Sequence, residues 1–226
     1  MIINGPPCVA ALFLQGRDTM SKVLLINGSP NAQGCTYTAL REVEKSLNKN
    51  GVDTEIFQLG KGPVQGCTGC GGCGRNGKCV FDDGVNRLVE RLDEFDGLVI
   101  GSPVYYASPN GALLAFLDRL FFAAGKKFAG KPGAAVVSCR RGGATAAFDV
   151  LNKYFSISNM PIVTSQYWNQ IHGNTPEEAL QDAEGLQTMR TLGENMAWLI
   201  KCIQAGRAAG VPEPVYEKKQ STNIIR

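Results

Sequence analysis

The feature that most constrains this chain is an alternation: a short, almost continuous apolar run, a polar loop, then a longer stretch with helical spacing. Lys22 to Asn27 (KVLLIN) is the first such run, and it empties into a loop of glycine, serine and proline. A strand apolar at nearly every position is one buried on both faces, as in a parallel sheet covered by helices on each side. A helical segment from about Thr36 to Asn50 stops near Gly51, and Asp53 to Leu59 alternates as a second strand. A helix over Asp83 to Phe95 leads to a third strand, Gly97 to Gly101. Ser108 and Pro109 read as a helix start, the hydroxyl capping and the proline at the first helical position, ahead of Leu113, Phe116, Leu117 and Leu120. Ala134 to Ser138 gives a fourth strand, Ala144 to Phe155 a helix and Pro161 to Ser165 a fifth strand. Thr175, Pro176 and Glu178 then open one long final helix, with Leu180, Ala183, Leu186, Met189, Met196, Leu199, Ile200 and Ile203 on its apolar face. The expected class is α/β, a doubly wound five-stranded parallel sheet.

A chain of 226 residues, 44% hydrophobic, can bury one sizeable core, which we place at 21–206. Residues 1–20 read as a leader, a loose arm or a mis-assigned start: the apolar run Val9 to Leu14 lacks preceding basic residues and makes a poor signal peptide, and Met20 directly precedes the organised sequence. Residues 207–226, with their prolines and lysines, read as an extended arm. A net charge of +3, evenly spread, argues against nucleic acid as a partner. No apolar stretch approaches the roughly 20 residues that span a bilayer, so the expectation is a cytoplasmic protein with no membrane partner.

In such a sheet the ligand belongs at the carboxyl ends of the strands. After the first strand, GSPNAQGCT offers Ser29, Asn31, Gln33, Gly34, Cys35 and Thr36 at a helix N-terminus, a phosphate cradle without the Gly-Lys-Ser/Thr ending that a triphosphate loop needs. An ordinary polar turn is the alternative. After the third strand, Pro103, Val104, Tyr105 and Tyr106 set two aromatics beside a stiff backbone, suited to a planar ring or simply packed on the next helix. After the fourth, Ser138, Arg140, Arg141, Gly142 and Gly143 form a flexible basic loop able to face a ring carbonyl or a phosphate. Together the three loops suit a flat phosphorylated cofactor.

Four of the eight cysteines, Cys67, Cys70, Cys73 and Cys79, crowd into CTGCGGCGRNGKC. That crowding in a mid-sized chain reads as metal binding in a reducing compartment rather than a disulfide framework. An iron-sulfur cluster, tetrahedral zinc and a redox-active or ligand-free thiol set are all compatible with the spacing. His172 reads as a surface side chain in a polar loop, and Asp118 and Arg119 as a subunit contact or a surface pair.

GSPNAQGCT, the cysteine stretch running into Asp82 and Asp83, and GSPVYYASPNGALLAFLDR together resemble the NADPH-dependent FMN reductase family of flavodoxin-like proteins, and within it the iron-sulfur flavoproteins. The resemblance implies a three-layer α/β/α flavodoxin-like fold. It implies that Ser29, Asn31, Gln33, Gly34 and Thr36 hold the FMN phosphate, that Pro103 to Tyr106 line the isoalloxazine, and that Ser138 to Gly143 close its other edge. Cys35 stands where such proteins commonly carry a small polar residue. The resemblance also implies a 4Fe-4S cluster on the four cysteines, NAD(P)H as a co-substrate, and a homodimer or homotetramer. The implied function is FMN-dependent oxidoreduction or electron transfer, with a small-molecule acceptor or ferredoxin-like protein as partner. The alternatives are a cluster-free NAD(P)H-dependent reductase of FMN, quinones, azo or nitro compounds, and a non-enzymatic regulatory protein on the same fold.

Overall fold

The computed structural model describes residues 20–225, so the expected leader at 1–20 lies almost wholly outside the described residues. Described residues up to Ile200 belong to one compact unit, and those from Lys201 onward to a second.

In the larger unit the elements run β1 (Lys22–Asn27), α1 (Cys35–Lys49), β2 (Asp53–Gln58), α2 (Gly72–Asn76), α3 (Gly84–Arg91), β3 (Gly97–Tyr105), β4 (Ser108–Pro109), α4 (Gly111–Ala124), β5 (Gly133–Cys139), α5 (Ala144–Ile157), β6 (Gln170–His172) and α6 (Pro176–Ala179). Helix α7 (Ala183–Ala208) begins there and runs into the smaller unit, where Arg207 pairs with Glu213 and residues 211–225 form neither helix nor strand.

Strands β2, β1, β3, β5 and β6 pair in that order, all parallel, while β4 folds back antiparallel on the end of β3. Leaving out β4, the parallel order is 2-1-3-4-5, the flavodoxin-like arrangement. Successive strand residues face opposite layers, which is why the apolar runs are continuous. Leu24, Ile26, Leu98, Ile100, Ala135 and Val137 pack with α3, α4 and α5. Val23, Leu25, Val99, Val136 and Ile171 pack with α1 and with Met189, Leu192 and Met196 of α7. The fold is therefore the expected three-layer one.

Three local expectations are overturned. Ser108 and Pro109 do not start a helix: β3 extends to Tyr105, turns through Tyr106 and Ala107, and pairs Val104 with Pro109. Asn110 is the cap instead, its side chain accepting from the Ala112 N–H. Pro161 to Ser165 makes only one bridge, Ile162 to Gly133, and the fifth parallel strand is Gln170–His172. Beyond that bridge Ser165 bonds Tyr167 and Asn169, a local turn that draws the backbone off the ladder. The final helix is broken as well. Thr175 caps α6 alone, and Asp182, accepting from the Gly185 N–H, starts α7 afresh. Leu180 lies in the break and is exposed. His172 ends β6 rather than sitting in a loop, its Nδ1 3.5 Å from Asp182.

Candidate functional site

The loop after β1 is shaped by the last residues of two neighbouring strands. Buried Asn27 accepts from the Ser29 N–H (3.1 Å) and donates to Gln58 (2.6 Å), and Gln58 donates in turn to the Ser29 carbonyl (2.7 Å). Ser29 itself accepts from the Asn31 N–H, and the Gly34 N–H donates to the Asn31 carbonyl. Helix α1 then begins at Cys35 with no side-chain cap and no acidic residue in its first turn. An uncapped helix end leaves N–H groups and partial positive charge facing outward, which suits a phosphate. In front of it lies an open pocket of about 680 Å³ lined by Pro30, Asn31, Gln33, Gly34, Gln58 and Lys61 among others. The Cys35 thiol points elsewhere, to the Gly173 carbonyl at 3.5 Å, and burial pushes its pKa up, helped by the charges of Glu178 and Glu177.

The other two loops meet this one at the same edge of the sheet. Thr36 shares a 2.7 Å hydrogen bond with Ser138, both buried, joining the start of α1 to the end of β5. Asn110 donates to the Gly28 carbonyl (2.7 Å), joining the first loop to the β3–β4 hairpin. The hairpin turns on Tyr106 (φ 50°) and Ala107 (φ 59°), both left-handed, a two-residue geometry normally given to Asn and Gly. Gly143 (φ 89°) is pressed against this turn: a Cβ there would lie 2.8 Å from the Ala107 Cα and 3.1 Å from Val104 Cγ1. Pro103 and Val104 are half-buried, while Tyr105, Tyr106, Arg140, Arg141 and Gly142 are exposed. The edge thus offers an anion cradle, an exposed aromatic hairpin and two arginines across three contiguous loops. Those residues fit a flat phosphorylated cofactor. Asn27, Gln58 and Asn110, which hold the loops in shape, were not singled out in the sequence, since a polar residue ending a strand carries no distinguishing local signal.

The cysteine loop has a different character. Gly69, Gly71 and Gly77 all take left-handed backbone, and Cys73 rides on the short helix α2. Cys67 and Cys70 are exposed; Cys73 and Cys79 are half-buried. Among the described residues no three Cys, His, Asp or Glu side chains gather as a metal site, so the four thiols stand apart in this arrangement. A hydrogen bond from the Gly72 backbone leads the influences that lower the Cys70 pKa.

The reading of Arg119 as a surface or subunit residue is wrong. It is 2% exposed, and its guanidinium donates to Cys79 Sγ (3.1 Å), both oxygens of Asp83 (2.7 and 2.9 Å), and the carbonyls of Gln65 and Phe81. It also lies 5.1 Å from the Phe81 ring centre. One side chain of α4 therefore ties down both ends of the cysteine segment. Asp118 turns the other way and accepts from the Tyr154 hydroxyl at 2.5 Å. The helical period held the signal, because Arg119 falls three residues after buried Phe116, on the apolar face.

The parallel order and the switch point between β1 and β3, with the loops above it, define a flavodoxin-like fold whose ligand edge lies at these loops. A flavodoxin from the domain Archaea shares the fold, with a TM-score of 0.54 at 16% identity over 80% of this chain and 99% of that one. An iron-sulfur flavoprotein of Methanocaldococcus jannaschii is 31% identical over 81% of this chain and 99% of its own length. One from Methanosarcina thermophila is 29% identical over 82% and 98%. Residues 21–175 match the NADPH-dependent FMN reductase family. The chain belongs to that family, in its iron-sulfur flavoprotein branch, and is a flavin-dependent oxidoreductase.

Proposed function

We propose that this protein is an FMN-dependent electron-transfer oxidoreductase whose flavin lies across the loops after β1, β3 and β5. The uncapped, acid-free start of α1, tied to the other two loops through Thr36 and Asn110, carries the reading. Bound there, FMN supplies hydride and single-electron transfer. The protein's part is placement. Backbone N–H groups of the α1 end and the polar side chains of Ser29, Asn31 and Gln33 would hold the phosphate. The Pro103 to Tyr106 hairpin would hold the ring, and Arg140 and Arg141 would provide positive charge to it. Gly143, having no Cβ, lets the hairpin pack directly on the β5 loop beside the ring site.

A 4Fe-4S cluster on Cys67, Cys70, Cys73 and Cys79 is the finer reading, supported by the spacing and by the names of the relatives. It requires the four thiols to come together on the glycine-rich loop that carries them. The second reading, supported by the family description, is a cluster-free reductase of FMN, quinones, azo or nitro compounds fed directly by NAD(P)H. We further propose a small-molecule acceptor or a ferredoxin-like protein as redox partner, a cytoplasmic setting and a homo-oligomer. Among the described residues no helix is long and apolar enough to cross a membrane.

An anaerobic visible spectrum with FMN, iron and sulfide quantitation tests both levels. FMN without iron or sulfide after reconstitution selects the cluster-free reductase, and absence of FMN overturns the flavin reading. Thr36→Val and Ser29→Ala should each lower FMN occupancy.

A further inference from the structure

We propose that Lys61, in the loop between β2 and α2, supplies the positive charge that the phosphate cradle lacks; this rests on the flavin reading above. Residues 28–37 contain no lysine, arginine or histidine, so the cradle offers only hydroxyls, amides and backbone N–H groups. A phosphate monoester carries between one and two negative charges at neutral pH, more than one helix end's partial charge offsets. The nearby start of β6's following helix adds to the deficit: Glu177 and Glu178 lie close enough to raise the Cys35 thiol at the first position of α1.

Lys61 meets that need by position and by availability. Of the described residues lining the pocket, it alone is charged, and it shares the wall with Asn31, Gln33 and Gly34. It makes no ion pair or hydrogen bond within the described residues, whereas Arg41, which lines a second pocket with Gln33, is held by Glu44. Its backbone is anchored close by, since the Leu59 N–H donates to the Asn27 carbonyl, and Gly60 (φ 88°) turns the chain just before it. The flavin phosphate would thus be gripped from two strands, β1 through its loop and β2 through Lys61. Lys61 lies six positions before Cys67, so the same segment that carries the first thiol also carries the phosphate-binding charge.

The test compares FMN with riboflavin, which lacks the phosphate, by flavin fluorescence titration of the full chain freed of flavin. Lys61→Gln should weaken FMN about tenfold at low salt and leave riboflavin unchanged, and Lys61→Arg should restore FMN binding. Added salt should narrow the gap between wild type and Lys61→Gln, because the site is open to solvent. Equal losses for both flavins, or no loss for FMN, overturn the role of Lys61. Failure of the wild type to bind either flavin overturns the flavin reading itself and this proposal with it.

Discussion

At the scale of single residues, Arg119 is the position where chemistry and location disagree most. A guanidinium is tolerated at 2% exposure only because its donors are spent on Asp83, Cys79 and two backbone carbonyls. Arg119→Met keeps the volume but leaves the Gln65 and Phe81 carbonyls without their partner and Asp83 without its counter-charge. Asp83 is partly exposed and regains water, so the expected loss is roughly 2 to 4 kcal/mol, read by urea unfolding. The same variant should open residues 65–83 to limited proteolysis before the rest of the chain unfolds. Arg119 also lowers the Asp83 pKa against an opposing desolvation, and the Asp83 side chain caps α3 by accepting from the Val85 N–H. The pair thus serves the loop and the helix at once.

Among the elements, the β3–β4 hairpin decides the shape of the ring site. Tyr106 and Ala107 take left-handed conformations that cost other residues about 1 kcal/mol or more each, and Gly143 packs directly beneath them. Gly143→Ala adds both left-handed strain and overlap with Ala107, and should lower Tm by roughly 3 to 8 °C in a thermal melt. Ala107→Gly should leave Tm within about 2 °C, since relief of strain is offset by the added freedom of the unfolded chain. Of the two, only Gly143→Ala should weaken flavin binding. The hairpin was not legible beforehand because its turn residues, Tyr and Ala, are not turn formers, and because Ser-Pro fits a helix start equally well. The spare cap, Asn110, settled the competition: with its side chain on Ala112 and on Gly28, α4 starts two residues later and Ser108–Pro109 is left for β4.

Over the whole molecule, an ion-pair network joins the edge strand β2 and its neighbour β1 to helix α3. Glu55 on β2 accepts two bonds from Arg91 of α3 and one from Lys22 of β1. The Arg91 guanidinium, followed by Lys22, holds the Glu55 pKa down to about 2, below its ordinary 4.5. A depressed carboxylate contributes stability that is complete above about pH 4.5 and is lost as pH falls toward about 2. Glu55→Gln should therefore cost about 1 to 2 kcal/mol at pH 7 and flatten the decline of folding free energy between those two values, measured by denaturant titration across pH. Most of the sheet was legible in advance, because strands buried on both faces need continuous apolar runs and helices over them need a period of 3.6. The last strand and the broken final helix were not, since Ser165, Asn169 and Asp182 redirect the chain through side-chain bonds to backbone that periodicity does not record. By itself the chain determined the parallel α/β class, the three loops at the strand ends and the crowding of four thiols, all properties of local pattern. Only the tertiary structure decided that Arg119 lies inside and clasps the cysteine segment, that Lys61 lines one pocket with Asn31, Gln33 and Gly34 and that Gly143 packs against the hairpin, because each depends on a partner 36 or more positions away or on a neighbouring strand whose pairing no local window contains.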